Sequence, residues 1–260
     1  MKVVLFCGGQ GMRLREYSET IPKPMVEIGY RPILWHVMKY YAHFGHREFI
    51  LCLGHRADVI KKYFVNYEES LSNNFVLTNG GRDLRLLSSD IGDWKISFID
   101  TGLRTNVGQR LRAVESHLER DEMFLANYAD GLSDLNLPSY LTEFRKSGNT
   151  AAFLSVRPTQ SAHVVSVSNK NEVSSIQSFH EADIWINGGF FIFRREIFKH
   201  IKDGEELVEQ PFKRLIASRK LMTRKHRGFW MAMDTFKDKR FLDDLMDRGQ
   251  APWEVWKKHD

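Results

Sequence analysis

The sequence has very few cysteines. Only Cys7 and Cys52 occur in 260 residues, and each stands inside an apolar run. Such a chain has no disulfide framework, and without a CxxC pair or a Cys/His cluster it lacks the ligand pattern of a structural zinc site. Unpaired cysteines are typical of a reducing compartment. We therefore expect a cytoplasmic protein.

Long apolar runs are also missing. The longest are far shorter than the roughly 20 residues that a membrane-spanning helix needs, and the first residues run into glycines without a signal-peptide cleavage site. We expect neither secretion nor a membrane partner. With 42% hydrophobic and 27% charged residues, the composition excludes disordered, collagen-like and coiled-coil chains. The length predicts a single domain over residues 1–260, with an insertion.

Positive charge is not concentrated in one region, although the formal net charge is +5 and the isoelectric point is near 9.1. The densest basic stretch, 219–227, is short and broken by apolar residues. This favours a solvated face over a nucleic-acid track, so we expect no nucleic-acid partner. A mildly basic protein also suits small, phosphate-rich ligands.

Apolar runs and helical periodicities alternate along residues 1–156. The run at 3–7 ends in glycines, which predicts a buried strand entering a tight loop. Pro32 begins a segment with helical spacing, and proline is tolerated in the first turn of a helix. Further strands are predicted at 49–53, 96–99, 123–126 and 151–156, and further helices at 57–64, 107–118 and 137–144. The pattern predicts an α/β fold whose nucleotide-binding part is an open, mostly parallel sheet covered by helices.

The rhythm changes after residue 156. Short strands at 164–167, 173–179 and 184–193 have no long helix between them, which predicts a small antiparallel layer facing the substrate. A helix at 212–218, a strand at 221–225 and a helix at 235–248 follow, with Asp234 as the expected N-cap of the last helix. Residues 157–260 are therefore expected to hold the acceptor-binding and C-terminal part.

The first loop has the sequence GGQGMRL, with Gly8, Gly9 and Gly11. Glycines let backbone N–H groups approach phosphate oxygens closely, and Arg13 adds a cation. The loop is not a GxGxxG fingerprint, because Leu14 stands at the third glycine position, and the chain has no Walker A sequence. The glycines alone leave a purely structural turn open.

A second cation, Lys23, lies between Pro22 and Pro24. The two prolines restrict the backbone and so orient the lysine side chain. An ordinary surface lysine does not require such an oriented side chain. A polar loop with a chance lysine is the alternative. Together, Arg13 and Lys23 could neutralise a triphosphate from two sides.

Two aspartates stand where strands should end, Asp130 before Gly131 and Asp234 before the last helix. Magnesium (Mg2+) commonly takes one or two carboxylates from a protein and completes its shell with waters and phosphates. The pair therefore predicts a magnesium site. A turn residue at 130 and a helix cap at 234 remain the alternatives.

The chain resembles the glucose-1-phosphate cytidylyltransferases, within the wider sugar-nucleotide pyrophosphorylases. The resemblance covers nearly the whole chain, and KPMVEIG, PILWH and APWEVW are its most specific parts. The motifs in order are GGQGMRL, KPMVEIG, PILWHVMK, Asp-Gly after an apolar strand, INGGFF, MDT and APWEVW.

This resemblance implies a Rossmann-like nucleotidyltransferase fold with a mixed, mostly parallel sheet. It implies a nucleoside triphosphate over the glycine loop, including Met12, with Arg13 and Lys23 as catalytic cations that bind the triphosphate. It also implies magnesium on Asp130 and Asp234. Gly108 and Arg110, in VGQRL, lie where the family has residues beside the base.

The chain departs from the family pattern at 179–183, which reads FHEAD where relatives have FQEKP. Ala182 thus stands where relatives have the lysine that binds the sugar-bound phosphate, and His163 stands where they have a small glycine. We expect Arg157 or His180 to supply the lost charge, and Glu181, Asn187 and Gly188 to contact the acceptor. Poor use of glucose 1-phosphate is the corresponding expectation.

The sequence predicts an enzyme that joins a pyrimidine nucleotide, with CTP favoured, to a sugar 1-phosphate or a similar phosphorylated acceptor and releases pyrophosphate. A cytidylyltransferase for a non-glucose or non-sugar acceptor is the first alternative, and a catalytically silent, ligand-sensing paralogue is the second. The family resemblance and the many aromatic residues also predict a homo-oligomer.

Overall fold

Helices and strands alternate through most of the chain. The computed structural model of the protein describes residues 1–9, 21–159, 162–179 and 181–257. The α-helices of this part are α1 (Ile33–His43), α2 (Ala57–Val65), α3 (Val107–Ala113), α4 (Leu137–Ser147), α5 (Gln210–Ala217) and α6 (Phe236–Asp247). Its strands are β1 (Lys2–Phe6), β2 (Glu27–Ile28), β3 (Arg31–Pro32), β4 (Glu48–Leu53), β5 (Phe75–Thr78), β6 (Asp83–Leu86), β7 (Lys95–Asp100), β8 (Met123–Tyr128), β9 (Gly131–Ser133), β10 (Ala151–Val156), β11 (His163–Val167), β12 (Val173–Ser178), β13 (Ile186–Asn187), β14 (Phe191–Arg194), β15 (Leu221–Lys225) and β16 (Trp230–Ala232). None of the described helices combines the length and the apolar character that crossing a bilayer requires.

The central sheet has the strand order β13-β10-β14-β8-β1-β4-β7, with β15 also paired to β10. Strand β1 is parallel to β4 and β8, β4 is parallel to β7, and β10 is parallel to β15. Strand β14 runs antiparallel to β8 and β10. The central parallel strands β1, β4 and β8 are covered on both faces, so their sequences are largely apolar, and this pattern predicted them. The predicted α/β class with a mixed, mostly parallel sheet is confirmed.

Each face of the sheet has its own buried core. Successive side chains of a strand point to opposite faces, and β1 divides accordingly. Val3 and Leu5 join the first core, with side chains of α1, α4 and α6. Val4 and Phe6 join the second core, with side chains of α3 and α5. Residues 7–9, which follow β1, therefore lie between two separately packed layers.

Two predicted elements are interrupted. The helix expected at 107–118 ends as α3 at Ala113, and a 3₁₀ turn at Glu115–Leu118 follows, because Val114 leaves the helical conformation. The strand expected at 184–193 is divided into β13 and β14. Gly189 (φ +75°) and Phe190 (φ +49°) occupy the left-handed region, which a continuous strand does not allow.

The last helix has a different cap from the one predicted. Thr235, not Asp234, is the N-cap of α6. The Thr235 hydroxyl accepts a hydrogen bond from the backbone N–H of Asp238, and the Asp238 carboxylate accepts one from the backbone N–H of Thr235. This reciprocal capping box leaves the Asp234 carboxylate to other contacts.

Two antiparallel hairpins form separate two-stranded sheets. The β11–β12 hairpin agrees with the predicted antiparallel strands after residue 156. The β5–β6 hairpin was not predicted. Its turn passes through Asn79, Gly80 and Gly81, all with positive φ, and Asn-Gly between alternating apolar residues is a hairpin signal that the sequence does carry.

Candidate active site

A cavity of about 450 Å³ opens at the carboxyl ends of β1 and β8. These two strands are parallel neighbours, and the loops that follow them therefore meet at one edge of the sheet. Open α/β sheets commonly bind ligands at this edge. The cavity is lined by Phe6, Cys7, Gly8, Gly9, Lys23, Pro24, Thr105, Asn106, Val107, Arg110, Tyr128, Ala129, Asp130, Glu206 and Asp234.

Lys23 is held rigidly at the cavity wall. It begins a 3₁₀ turn, Lys23–Met25, in which the Met25 N–H donates to the Pro22 carbonyl over 2.8 Å. Pro24 and Met25 are buried, and this fixes the backbone from which the lysine side chain extends. The ammonium group donates to Asp130 Oδ2 at 2.5 Å and to Asp234 Oδ1 at 2.7 Å.

The two aspartates are brought together by a short antiparallel pair, β9 and β16. Gly131 pairs with Ala232, and the Met233 N–H donates to the Asp130 carbonyl over 2.9 Å. Asp130 thus directly precedes one strand of the pair, and Asp234 closely follows the other. The sequence predicted both residues, but the strands that join them were not predicted.

Charge on the aspartates governs the protonation of Lys23. Burial alone would lower the pKa of Lys23, but the carboxylates of Asp130 and Asp234 outweigh burial and raise the pKa above its ordinary value of 10.5. The lysine is therefore a permanent cation at neutral pH. A fixed cation facing an open cavity suits a negatively charged ligand.

The same carboxylates fit a hard divalent cation. Their oxygens converge on one ammonium group, so a single positive centre can already satisfy both. Within the described ranges there is no group of three or more His, Cys, Asp or Glu side chains arranged for a metal. The arrangement thus provides two carboxylates, which is the number that magnesium commonly takes from a protein when phosphates complete its shell.

The glycine loop is only partly within the described residues. Gly8 and Gly9 line the cavity, whereas Gly11, Met12 and Arg13 lie outside the residues that the structure describes. A Cβ on Gly8 would lie 2.1 Å from the guanidinium of Arg110, so this position has no room for a side chain. The close approach gives Gly8 a packing role in addition to its predicted contact with phosphate.

Arg110 donates hydrogen bonds to residues at the carboxyl ends of three strands. Its buried guanidinium donates to the carbonyls of Leu53 (3.0 Å), Gly102 (3.0 Å) and Gly8 (2.9 Å), and to the Thr101 hydroxyl (2.7 Å). These acceptors follow or end β1, β4 and β7. Burial lowers the pKa of Arg110 from its ordinary value. Arg110 therefore positions Gly8, and its predicted contact with the nucleotide stays a prediction.

Gly108 packs against the loop at 201–209 instead of facing open space. A Cβ on Gly108 would lie 2.2 Å from the Glu205 carbonyl oxygen. The next residue of that loop, Glu206, lines the cavity, and its carboxylate accepts hydrogen bonds from the N–H groups of Val107 (3.3 Å) and Leu207 (3.0 Å). Sequence reasoning missed Glu206, because a polar loop rich in acidic residues gives no signal for one of them.

Tyr128 was also missed, although it is the last residue of β8. Burial and the nearby Glu206 carboxylate raise its pKa to about 12, so the phenol is neutral at physiological pH. Its oxygen accepts a hydrogen bond from the Asn187 amide over 3.4 Å. Through this contact, the predicted acceptor residue Asn187 lies beside the cavity.

The other predicted acceptor residues belong to segments near the β10–β13 pair: Glu181 precedes β13, Gly188 directly follows it, and Arg157 directly follows β10. The Gly188 carbonyl accepts from the Trp230 indole N–H at 2.9 Å. Arg157 donates to the Ala182 carbonyl and forms an ion pair with Asp183 at 2.9 Å. The Glu181 carboxylate accepts from the Ser178 N–H at 3.1 Å, and none of these three residues lines the cavity. His180 lies outside the described residues.

Comparisons with known proteins agree with this architecture. The nucleotidyl transferase family model matches residues 2–239. The glucose-1-phosphate cytidylyltransferase of Salmonella typhimurium strain LT2 is 35% identical over 259 residues, covering 98% of this chain and 100% of that protein. The mannose-1-phosphate guanyltransferase of Hypocrea jecorina is 25% identical over 92% of this chain and 62% of its own length.

Solved structures share the fold at lower identity. The crystal structure of HddC from Yersinia pseudotuberculosis has a TM-score of 0.65 with 18% sequence identity, covering 94% of this chain and 99% of that one. At this identity the likeness concerns the fold alone. The family model and the relative at 35% identity both span almost the whole chain. The chain therefore belongs to the nucleotidyl transferase family, and it is a sugar-phosphate nucleotidyltransferase with glucose-1-phosphate cytidylyltransferases among its relatives.

Proposed function

We propose that the protein transfers a cytidylyl group from CTP to a sugar 1-phosphate or a similar phosphorylated acceptor and releases pyrophosphate. The observation that carries this proposal is the convergence of Lys23, Asp130 and Asp234 at one edge of the cavity. The full-length similarity to cytidylyltransferases supports CTP over other triphosphates.

The reaction needs positioning and charge more than covalent chemistry. An acceptor phosphate oxygen attacks the α-phosphorus of the triphosphate in line, and the bond from that phosphorus to the bridging oxygen of the leaving pyrophosphate breaks. Lys23 stabilises negative charge at the α-phosphate, where it increases in the transition state. Arg13 and the N–H groups of the glycine loop hold the departing pyrophosphate.

Magnesium is the cation that we propose for Asp130 and Asp234. Enzymes of this family generally use a divalent metal ion. The two carboxylates already share one positive group, and their hard oxygens match magnesium better than a soft metal. When bound, the ion neutralises charge on the phosphates.

The acceptor phosphate requires a cation in place of the missing lysine at position 182. We assign this role to Arg157, whose guanidinium already reaches the Ala182 carbonyl. The Cζ atom of Arg157 lies 4.6 Å from the centroid of the Trp185 ring, and Lys225 Nζ lies 4.8 Å from the same centroid. Arg157 directly follows β10, and Lys225 is the last residue of β15, so both cations lie at the carboxyl ends of these paired parallel strands. His180 stays the alternative, and Glu181, Asn187 and Gly188 are assigned to contacts with the rest of the acceptor.

The division into a nucleotide part at 1–156 and an acceptor part at 157–260 is part of the same proposal. We also propose a cytoplasmic location, since Cys7 and Cys52 are both buried and unpaired. Neither a nucleic acid nor a membrane is required as a partner for the proposed reaction.

A homo-oligomer is proposed from the apolar face of the β5–β6 hairpin. Leu77 pairs with Leu84, and these side chains are 55% and 50% exposed. An apolar face without a partner favours self-association. Light scattering should give a lower mass for a Leu77→Lys/Leu84→Lys variant than for the Val76→Lys control, which changes the other face. A monomeric parent protein would overturn this part.

The activity is tested by a screen for pyrophosphate release. CTP, UTP, dTTP, ATP and GTP are each combined with glucose 1-phosphate, other sugar 1-phosphates and phosphorylated non-sugar acceptors, with magnesium present. We expect release with CTP and at least one acceptor, and none when the acceptor is omitted. Release with no combination would overturn the proposed function and favour a silent, ligand-sensing protein.

A further inference from the structure

The cavity has two chemically different ends, on opposite faces of the central sheet. Lys23 and Asp234 adjoin Met25 and Met233, which belong to the first core. Glu206 and Val107 adjoin the second core, which contains Leu207 and Leu111. The cavity therefore extends across the carboxyl edge of the sheet. If the charged end holds the phosphates, the nucleoside lies toward the other end.

The end beside the second core suits a flat heterocycle. Phe6, Val107 and Tyr128 provide apolar and aromatic wall there, and Phe6 and Tyr128 are neighbouring rings with centroids 6.3 Å apart. Among the described residues that line the cavity, Glu206 is the carboxylate not engaged by Lys23. An acid in a site for a polyanion is unfavourable unless it meets a donor on the ligand, so its presence requires an explanation.

Glu206 is a rigid acceptor. One carboxylate oxygen accepts from the Val107 N–H and the other from the Leu207 N–H. The loop that carries it is held on both sides, because Asn106 donates to the Gly204 carbonyl at 2.9 Å and Arg214 binds the Glu205 carboxylate at 3.0 Å. A carboxylate has about four acceptor positions, so each oxygen keeps capacity for a ligand donor.

We propose that Glu206 selects cytosine over uracil by accepting a hydrogen bond from the exocyclic amino group of the base. Cytosine presents an N–H donor at C4, whereas uracil presents a carbonyl oxygen at the same position. The ionised carboxylate has no hydrogen to donate, so it attracts the amino group and repels the carbonyl. The inference rests on the proposed use of CTP and deepens it by naming the residue that distinguishes the two pyrimidines.

The test is Glu206→Gln, because an amide can present either an oxygen or an N–H donor. We expect the ratio of kcat/KM for CTP to that for UTP to fall about tenfold or more, which is the order of one specific contact to a base. Binding of CTP and of UTP without acceptor, measured by calorimetry, should show the same change. The ratio is independent of how much of the variant folds, since both nucleotides are tested on one preparation.

Glu209→Gln is the matched control, because Glu209 is an exposed residue of the same loop with the same change of side chain. It should leave the ratio unchanged. An unaltered ratio in Glu206→Gln, or an equal loss for both nucleotides with a lower Tm, would reduce Glu206 to a cap for backbone N–H groups and overturn the inference. If Glu206→Gln instead changed only the ratio of kcat/KM for CTP to that for dCTP, the contact would be to the ribose, and the inference would also be overturned. Wild-type protein that does not turn over CTP would instead contradict the proposed function.

Discussion

The ammonium group of Lys23 lies 2.5 Å from the Asp130 carboxylate, although 107 positions separate the two residues in the sequence. The same ammonium also donates to Asp234, so one cation bridges two carboxylates. A metal bound by the aspartates would release the lysine toward the phosphates. Because two carboxylates face one ammonium, the group keeps capacity for a further cation.

Removing this lysine should affect the reaction more than nucleotide binding. We expect Lys23→Ala to lower kcat by about a hundredfold or more, because losing one electrostatic donor at the reacting group typically has this effect. Kd for CTP should change much less. Steady-state kinetics and calorimetry measure the two quantities, with the exposed Lys61→Ala as control. Near-normal turnover of Lys23→Ala would make Lys23 an ordinary structural lysine.

The aspartates should be required for the metal and not for the fold. Asp130→Asn and Asp234→Asn should each abolish magnesium-dependent activity, because a neutral amide does not supply the charge that the ion requires. Binding of Mn²⁺ followed by electron paramagnetic resonance should weaken in both variants, while urea unfolding stays cooperative. Asp247→Asn, at the exposed end of α6, is the control. Full activity with an unchanged metal requirement in either variant would return that aspartate to a structural role.

The sequence allowed β1, β4 and β8 to be predicted, because each contains an apolar run of at least four residues. The pairing of β9 with β16 could not be predicted, since strands of three residues have no periodicity to detect. The capping box of α6 could have been predicted. Thr235 is followed three residues later by Asp238, and this spacing favours Thr235 over Asp234 as the N-cap.

Two of the motifs that suggested the family, PILWH and APWEVW, are neighbours in the fold. His36, from PILWH, accepts a hydrogen bond from the indole N–H of Trp253, from APWEVW, at 3.4 Å. Trp35 and Trp256 pack edge to face, with ring centroids 5.9 Å apart. Sequence alone gave no reason for these motifs to meet. Glu206, in contrast, gave no signal in the sequence, because four acidic residues stand in the loop at 201–209 and no pattern distinguishes one of them.

The acceptor should depend on Arg157. We expect Arg157→Ala to raise the acceptor KM about tenfold or more, because a hydrogen bond to a charged group contributes roughly 1.5–3 kcal/mol, and to leave the KM for CTP unchanged. Arg157→Lys should restore part of the loss, since it keeps the charge. Glucose 1-phosphate should be a poor acceptor in wild-type protein, because the replacement cation comes from Arg157 and not from position 182 itself.

The rival cation for the acceptor phosphate is His180, and pH distinguishes the two. A guanidinium stays charged throughout, so the acceptor KM should not rise between pH 6 and 8 if Arg157 binds the phosphate. With His180 instead, the acceptor KM should rise as pH increases through about 6.5, because only the protonated imidazole carries charge. Efficient turnover of CTP with glucose 1-phosphate, insensitive to Arg157→Ala and to pH, would contradict both assignments.

Stability should fall in mild acid because of His36. Burial lowers the pKa of His36 to about 4 in the folded protein, compared with about 6.5 in the unfolded chain. Its neutral ring is fully buried, and its two nitrogens lie 3.0 Å from the Ile28 carbonyl and 3.4 Å from the Trp253 indole nitrogen. Because the folded pKa is the lower one, the contribution of the neutral His36 ring to the free energy of unfolding is complete above pH 6.5. About 3 kcal/mol of this free energy is lost as pH falls toward 4.

Urea unfolding at pH 7.5, 6.5, 5.5 and 4.5 measures this dependence. His36→Gln should be less stable than wild type at pH 7.5, because it loses the aromatic packing against Trp35 and Trp253. Its unfolding free energy should decrease less between pH 6.5 and 4.5, since the unfolded chain no longer gains that proton. His43→Gln, at the exposed end of the same helix, should keep the wild-type slope. Equal slopes in wild type and His36→Gln would show that the acid sensitivity arises elsewhere.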